Sequence, residues 1–266
     1  MGYHSSRLVC RALRGIIFLV RLSRKIQKLF SPEIFASLWE NAGRWIHPVN
    51  AKRILGSIDK DELARLREKY PHRRDARKIN AYENADYWVG VNVKRVQDLW
   101  LDRTPPVRIL DLGCGPGYFL YVCRLFGHDG LGLDQDEEPL FRGMTEFFNV
   151  HRIISRIDPG VPLPDLVEKF DLVTAHRVCF HRINRGSNGV WNEWKPSDWK
   201  FFINDIRTRF LKPGGRLLLD FISRPDGSSF FTPELRACFV GEGARIFRSK
   251  ALFAADPNQR ARFKHR

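Results

Sequence analysis

Ile109-Leu110-Asp111-Leu112-Gly113-Cys114-Gly115-Pro116-Gly117 is an apolar run that closes on an acid and then breaks into three glycines at alternate positions. The run before the acid reads as a buried strand, and the residues after Gly117 resume as an apolar helix from about Tyr118. Strand, glycine loop, helix is the opening unit of a parallel α/β sheet, and the loop falls at the carboxyl edge where such sheets bind ligands. Glycine there lets backbone N–H groups approach a ligand closely.

The spacing narrows the ligand. A dinucleotide fingerprint started at Gly113 needs a glycine where Tyr118 stands, and one started at Gly115 needs it at Leu120. A phosphate loop needs a Gly-Lys-Ser/Thr sequence that does not follow.

Working outward, short apolar runs alternate with longer mixed segments. Strands are expected at Val107–Leu112, Gly130–Asp134, Arg152–Arg156, Phe170–Ala175, Arg216–Phe221 and Ala244–Phe253. Helices are expected at Phe119–Phe126, Glu137–Phe148, Asp198–Leu211 and Pro233–Phe239. That rhythm predicts a doubly wound, mostly parallel α/β sheet. After Phe221 about 45 residues remain, enough for one clear strand, so a sheet truncated on that edge is expected.

Four segments in order resemble the class I methyltransferases over roughly Val107 to Phe221: the glycine loop, Gly130-Leu131-Gly132-Leu133-Asp134, Phe170-Asp171-Leu172-Val173-Thr174-Ala175, and Leu211-Lys212-Pro213-Gly214-Gly215-Arg216-Leu217-Leu218-Leu219. The resemblance implies a Rossmann-like methyltransferase sheet with an N-terminal helical extension, and S-adenosyl-L-methionine as the cofactor. It implies that Asp111, Gly113, Cys114, Gly115 and Gly117 hold the methionine part. Asp134, followed by Gln135, would hold the ribose, since a carboxylate accepts two hydrogen bonds from vicinal hydroxyls at once. Ile157 and Asp158 would border the adenine, although Asp158-Pro159-Gly160-Val161-Pro162-Leu163-Pro164 departs from the family's usual pattern.

Methyl transfer is an in-line displacement that positioning alone accelerates, and a base is needed only where the acceptor must lose a proton. His176 and His181 follow the fourth strand and are the candidate bases, each weighed against a structural role. Thr174-Ala175-His176-Arg177 stands where nucleobase amino methylases carry Asn/Asp-Pro-Pro-aromatic, which argues against that chemistry. Trp191, Trp194 and Trp199 in the following insert either wall the acceptor pocket or pin the insert.

The chain has 266 residues and a formal charge of +15, of which residues 1–30 supply +7 through Arg7, Arg11, Arg14, Arg21, Arg24, Lys25 and Lys28 without an acid. Their spacing, with Leu8, Ala12, Ile16, Leu19, Leu22, Ile26 and Leu29 opposite, predicts a basic amphipathic helix. Its uncharged run Gly15–Val20 is too short to span a bilayer. Packing on the core, peripheral membrane contact through residues 7–30 and a targeting role remain open. Met1-Gly2-Tyr3-His4-Ser5-Ser6 matches a myristoylation pattern short enough to recur by chance.

Five cysteines, odd in number and without a C-x-x-C pair, indicate neither disulfides nor a metal site and fit a reducing, cytoplasmic compartment. The expected organisation is a basic helix over 1–30, a helical cap or lead-in over 31–104, the methyltransferase domain over 105–255 and a basic tail over 256–266. The expected partner is a small-molecule, lipid or glycan acceptor. Nucleic acid is not excluded, and an RNA-directed methyltransferase or a cofactor-binding scaffold without turnover are the alternatives.

Overall fold

Alternation of apolar residues along the central strands builds the core, because successive side chains of a strand point to opposite faces of its sheet. The computed structural model describes residues 44, 46–70, 82, 84–186, 191–224 and 227–256. The basic helix expected over 1–30 and residues 257–266 of the basic tail lie outside the described residues.

From Val49 onward the chain forms one unit. Among the described residues three helices precede the sheet: α1 (Ala51–Gly56), α2 (Lys60–Lys69) and α3 (Ala85–Asp98). Each starts on an Asn or Asp cap; Asp59 accepts from the N–H groups of Asp61 and Glu62 at 3.0 and 2.9 Å, and Asn84 from that of Tyr87 at 3.0 Å. The α/β core follows as β1 (Arg108–Leu112), α4 (Tyr118–Leu125), β2 (Asp129–Asp134), α5 (Pro139–Phe147), β3 (His151–Ile154) and β4 (Phe170–His176). Next come a small hairpin, β5 (Arg182–Arg185) and β6 (Trp191–Glu193), and α6 (Pro196–Asp205), which runs into a π-helical turn at Ile206–Phe210. The chain then returns through β7 (Leu211–Asp220), α7 (Pro233–Gly241), β8 (Arg245–Phe247) and β9 (Lys250–Ala254).

The main sheet has the order β3-β2-β1-β4-β7-β9-β8. Its first five strands are parallel, and β9 runs antiparallel to both β7 and β8. The order reverses between β1 and β4, the switch point at which open α/β sheets bind ligands. The C-terminal edge corrects the sequence reading: Ala244–Phe253 is a hairpin of two strands rather than one, so the sheet is not cut short there. Its turn is carried by Arg248 at a φ of 50°, in a run with no glycine or proline to announce it.

The pleat sorts side chains onto two faces. Ile109, Leu172, Leu218 and Leu252 share a buried cluster with Val89, Val93 and Val96 of α3 and Phe119 and Leu120 of α4. Leu110, Leu112, Val173, Leu217, Leu219 and Phe253 share another with Trp199, Phe202 and Ile203 of α6 and Phe239 of α7. Polar residues of the same parity as Ile109, Leu172 and Leu218 therefore face the α3 and α4 side; they include Asp111, Thr174, His176, Arg216 and Asp220.

Candidate functional site

β1 ends in the glycine loop, and positive φ angles of 68°, 52° and 80° at Gly113, Gly115 and Gly117 turn it sharply into α4. Side chains with a Cβ rarely adopt such angles. At Gly113 a Cβ would also lie 2.7 Å from the methyls of Val178. The loop is tied to β2 by N–H bonds from Gly113 and Cys114 to the Leu133 carbonyl, at 2.6 and 3.3 Å. Cys114 is buried with its sulfur against Gly132, where a Cβ would come within 2.5 Å of it.

Asp134 ends β2 beside the loop and accepts the Gly115 N–H at 2.5 Å. Burial raises its pKa, while the backbone N–H groups of Gly115 and Gln135 and the charge of Arg152 pull it back down. Asp111 sits deeper and accepts the Thr174 hydroxyl at 2.7 Å. Burial pushes its pKa up to about 7, against the Thr174 bond and the charge of Arg95, with Asp134 adding repulsion. Neither acid has an ion-pair partner within bonding distance among the described residues. Two buried carboxylates, neither in direct contact with a cation, suit a positively charged ligand. An S-adenosylmethionine, with its sulfonium and ammonium groups, meets that requirement.

A cavity of about 370 Å³ opens beside Asp134. Of the residues expected to hold the cofactor, Gly113, Asp134, Gln135 and Ile157 line it. Asp111, Cys114, Gly115, Gly117 and Asp158 are not part of its wall; Asp158 is half-exposed and pairs with Arg156 at 2.9 Å. Sequence reasoning missed Val178 and Arg182, which also line it. The tryptophans of the insert differ in setting. Trp191 stands in the cavity wall with the Arg182 guanidinium 6.0 Å from its ring centre. Trp194 and Trp199 are buried against each other and Phe202.

The two histidines lie apart. His176 ends β4 with its ring edge-on to Phe119 at 4.5 Å, and both its nitrogens are buried without a hydrogen-bond partner. Burial, then Arg95 and Lys250, hold its pKa well below the usual histidine value. His181 is sealed among Phe230, Phe221 and Trp199, at 4.6, 5.7 and 5.9 Å between ring centres. Burial, then Arg182 and Arg224, lower its pKa to about 3. Neither histidine is part of the cavity wall.

Residues 110–219 match the family described as a methyltransferase domain. Over that span, less than half of its length, the chain is similar to the class I, S-adenosylmethionine-dependent methyltransferases. Over 128 residues the methyltransferase is 32% identical to the tRNA U34 carboxymethyltransferase of Hydrogenovibrio crunogenus (strain DSM 25203 / XCL-2), a match covering 45% of this chain and 33% of that one. The chain thus spans about a third of the length of that relative. Among solved structures it is similar to Streptomyces venezuelae DesVI, with 15% identity, coverage of 68% and 98% of the two chains and a TM-score of 0.47. It is also similar to S-adenosylmethionine-bound CalS10, an amino pentose methyltransferase from Micromonospora echinaspora, with 20% identity, coverage of 53% of each chain and a TM-score of 0.37. Among the described residues no helix of this methyltransferase is long and apolar enough to cross a membrane, and no cluster of histidine, cysteine and acidic side chains is arranged to hold a metal.

Proposed function

We propose that this methyltransferase carries a methyl group from S-adenosylmethionine to a small-molecule, lipid or glycan acceptor. The observation that carries the reading is Asp134, fixed at the tip of β2 by the Gly115 N–H and standing in the wall of the cavity. When bound, S-adenosylmethionine supplies a methyl carbon activated by the neighbouring sulfonium charge. Gly113 to Gly117 would hold the methionine part, with Asp111 beneath the loop balancing positive charge. Asp134 and Gln135 would take the ribose hydroxyls, and Ile157 an edge of the adenine. The protein's contribution to rate is then largely orientation and exclusion of water.

Where the acceptor must lose a proton, His176 is the residue proposed to take it, since burial keeps it neutral with both nitrogens unengaged. His181, enclosed by aromatic rings, is proposed as a packing residue. Helices α1 to α3 are proposed as the cap over the acceptor, in keeping with a lead-in segment over 31–104. Peripheral membrane contact through residues 7–30 belongs to this reading where the acceptor is a lipid; liposome sedimentation with and without those residues tests it.

Calorimetric titration with S-adenosylhomocysteine tests the cofactor part. Wild type is expected to bind, and Asp134→Ala to bind about tenfold or more weakly, because charge-assisted hydrogen bonds are lost. Equal affinity of the two proteins would overturn the assignment of Asp134. Incubation with methyl-labelled cofactor and fractionated extract then locates the acceptor.

A second reading, methylation of RNA, is favoured by the net charge of +15 and the tRNA-directed relative. It expects tight, strongly salt-dependent RNA binding that survives removal of residues 1–30. Label recovered in the RNA fraction would establish it against the first.

A further inference from the structure

The β5–β6 hairpin brings two residues of a different kind to the cavity beside Asp134. Arg182, the first residue of β5, and Trp191, the first of β6, both stand in its wall, with the guanidinium carbon 6.0 Å from the ring centre. The root of the hairpin is fixed: the Trp194 N–H donates to the His181 carbonyl at 2.9 Å, and Trp194 packs on the buried Trp199. A shift of register between Arg182 and Asn184 interrupts the alternation of β5, and such irregularities re-aim the side chains beside them.

The other charged groups of the wall are engaged. Asp134 accepts the Gly115 N–H, Glu137 accepts from the Gln135 amide at 3.1 Å, and Arg156 pairs with Asp158 at 2.9 Å. Arg182 differs. Its cross-strand neighbour is Glu193, but that carboxylate pairs with Arg224 at 2.6 Å. The Arg182 Nε is buried without a hydrogen-bond partner, and among the described residues the two terminal nitrogens make neither a hydrogen bond nor an ion pair. With Nε enclosed by protein, the terminal pair is the edge that the guanidinium offers to a ligand.

A carboxylate completes that edge, since its two oxygens match the two terminal nitrogens in parallel. Trp191 is 39% exposed and stands where the wall meets solvent. A flat apolar group can lie against its ring while a charged end reaches Arg182.

We infer that the hairpin is the acceptor's seat, with Arg182 taking a carboxylate of the acceptor and Trp191 its planar body, so that the acceptor is a planar organic acid. This rests on the proposed function, in which the same cavity receives the cofactor, and it narrows the small-molecule reading to one substrate class. Asp134 and Glu137 belong to β2 and the segment after it, Arg182 and Trp191 to the hairpin. One cavity thus turns carboxylates to the donor and a cation to the acceptor from separate elements.

The full chain, with and without saturating S-adenosylhomocysteine, is titrated calorimetrically with benzoate, cyclohexanecarboxylate and uridine monophosphate at constant ionic strength. Benzoate is expected to bind in both conditions, and cyclohexanecarboxylate, which has the charge without the flat ring, several-fold more weakly. Arg182→Met is expected to weaken benzoate binding about tenfold or more, and Trp191→Leu several-fold. Arg182→Lys, which keeps the charge and serves if the Met variant does not fold, is expected to weaken it several-fold by losing the fork. Arg182-dependent benzoate binding in a protein that fails to bind S-adenosylhomocysteine would uphold the seat and overturn only the cofactor reading. Cyclohexanecarboxylate bound as tightly as benzoate overturns the part given to Trp191. Benzoate displaced by S-adenosylhomocysteine, bound equally by wild type and the Arg182 variants, or not bound at all overturns the seat, and binding of uridine monophosphate alone does so in favour of a nucleotide.

Discussion

Replacing Asp111 by Asn should make the protein more stable, and increasingly so as pH rises from acid to neutral. The side chain is buried and its pKa is raised from 3.8 to about 7 in the fold. The folded state therefore keeps a proton that the unfolded chain releases. Stability from this group is fully present below about pH 4 and is lost as pH rises toward 7. A shift of about 3 units at about 1.4 kcal/mol per unit amounts to about 4 kcal/mol once Asp111 is ionised. Between pH 5.5 and pH 8 the wild type should lose about 2 kcal/mol through this residue, and Asp111→Asn none. The amide oxygen can still accept the Thr174 hydroxyl, so the 2.7 Å hydrogen bond is not sacrificed. Urea unfolding of both proteins at several pH values, without cofactor, measures the difference; the other titrating groups are common to both and cancel to first order. A stability difference that stays constant between pH 5.5 and pH 8 would refute the reasoning.

The opposite dependence is expected for His181, whose pKa falls from 6.5 to about 3, so that stability is full above pH 6.5 and is lost as pH falls. Between pH 6.5 and pH 4.5 this residue should cost about 2 kcal/mol, and His181→Phe should remove that part of the acid sensitivity; parallel urea curves for the two proteins would count against it. Gly113→Ala should lower stability by about 1–2 kcal/mol through its positive φ, with a further loss from the contact with Val178. Combining it with Val178→Ala should restore the second part only, and a single variant within about 0.5 kcal/mol of wild type would show that the loop relaxes freely.

The glycine loop and the acid at the end of β2 were legible because their signals are local. Three glycines spaced by two, an acid at a strand end and the following helix report backbone geometry within a dozen residues. The parallel core was legible for the same reason, since fully buried strands read as apolar runs. The last two strands were not: Arg245 to Phe253 carries no turn residue, and the reversal is made by an arginine forced to positive φ by the pairing of β8 with β9. The β5–β6 hairpin was hidden by its charge, because Arg182-Ile183-Asn184-Arg185 resembles a loop and pairs only with the short Trp191–Glu193 segment.

What the register adds is a division of labour along β4. Val173 and Ala175 point into the cluster with Trp199 and Phe202, whereas Thr174 and His176 point toward α3. Thr174 fixes Asp111 beneath the cofactor loop, and His176, two residues on and on the same face, begins the row that runs to Asp220 and Lys250. Thr174, bonded to the buried acid, and His176 thus stand about 7 Å apart on one face of β4. The buried acid and the histidine are coupled through charge. Arg95 bears on both Asp111 and His176, lowering the pKa of each.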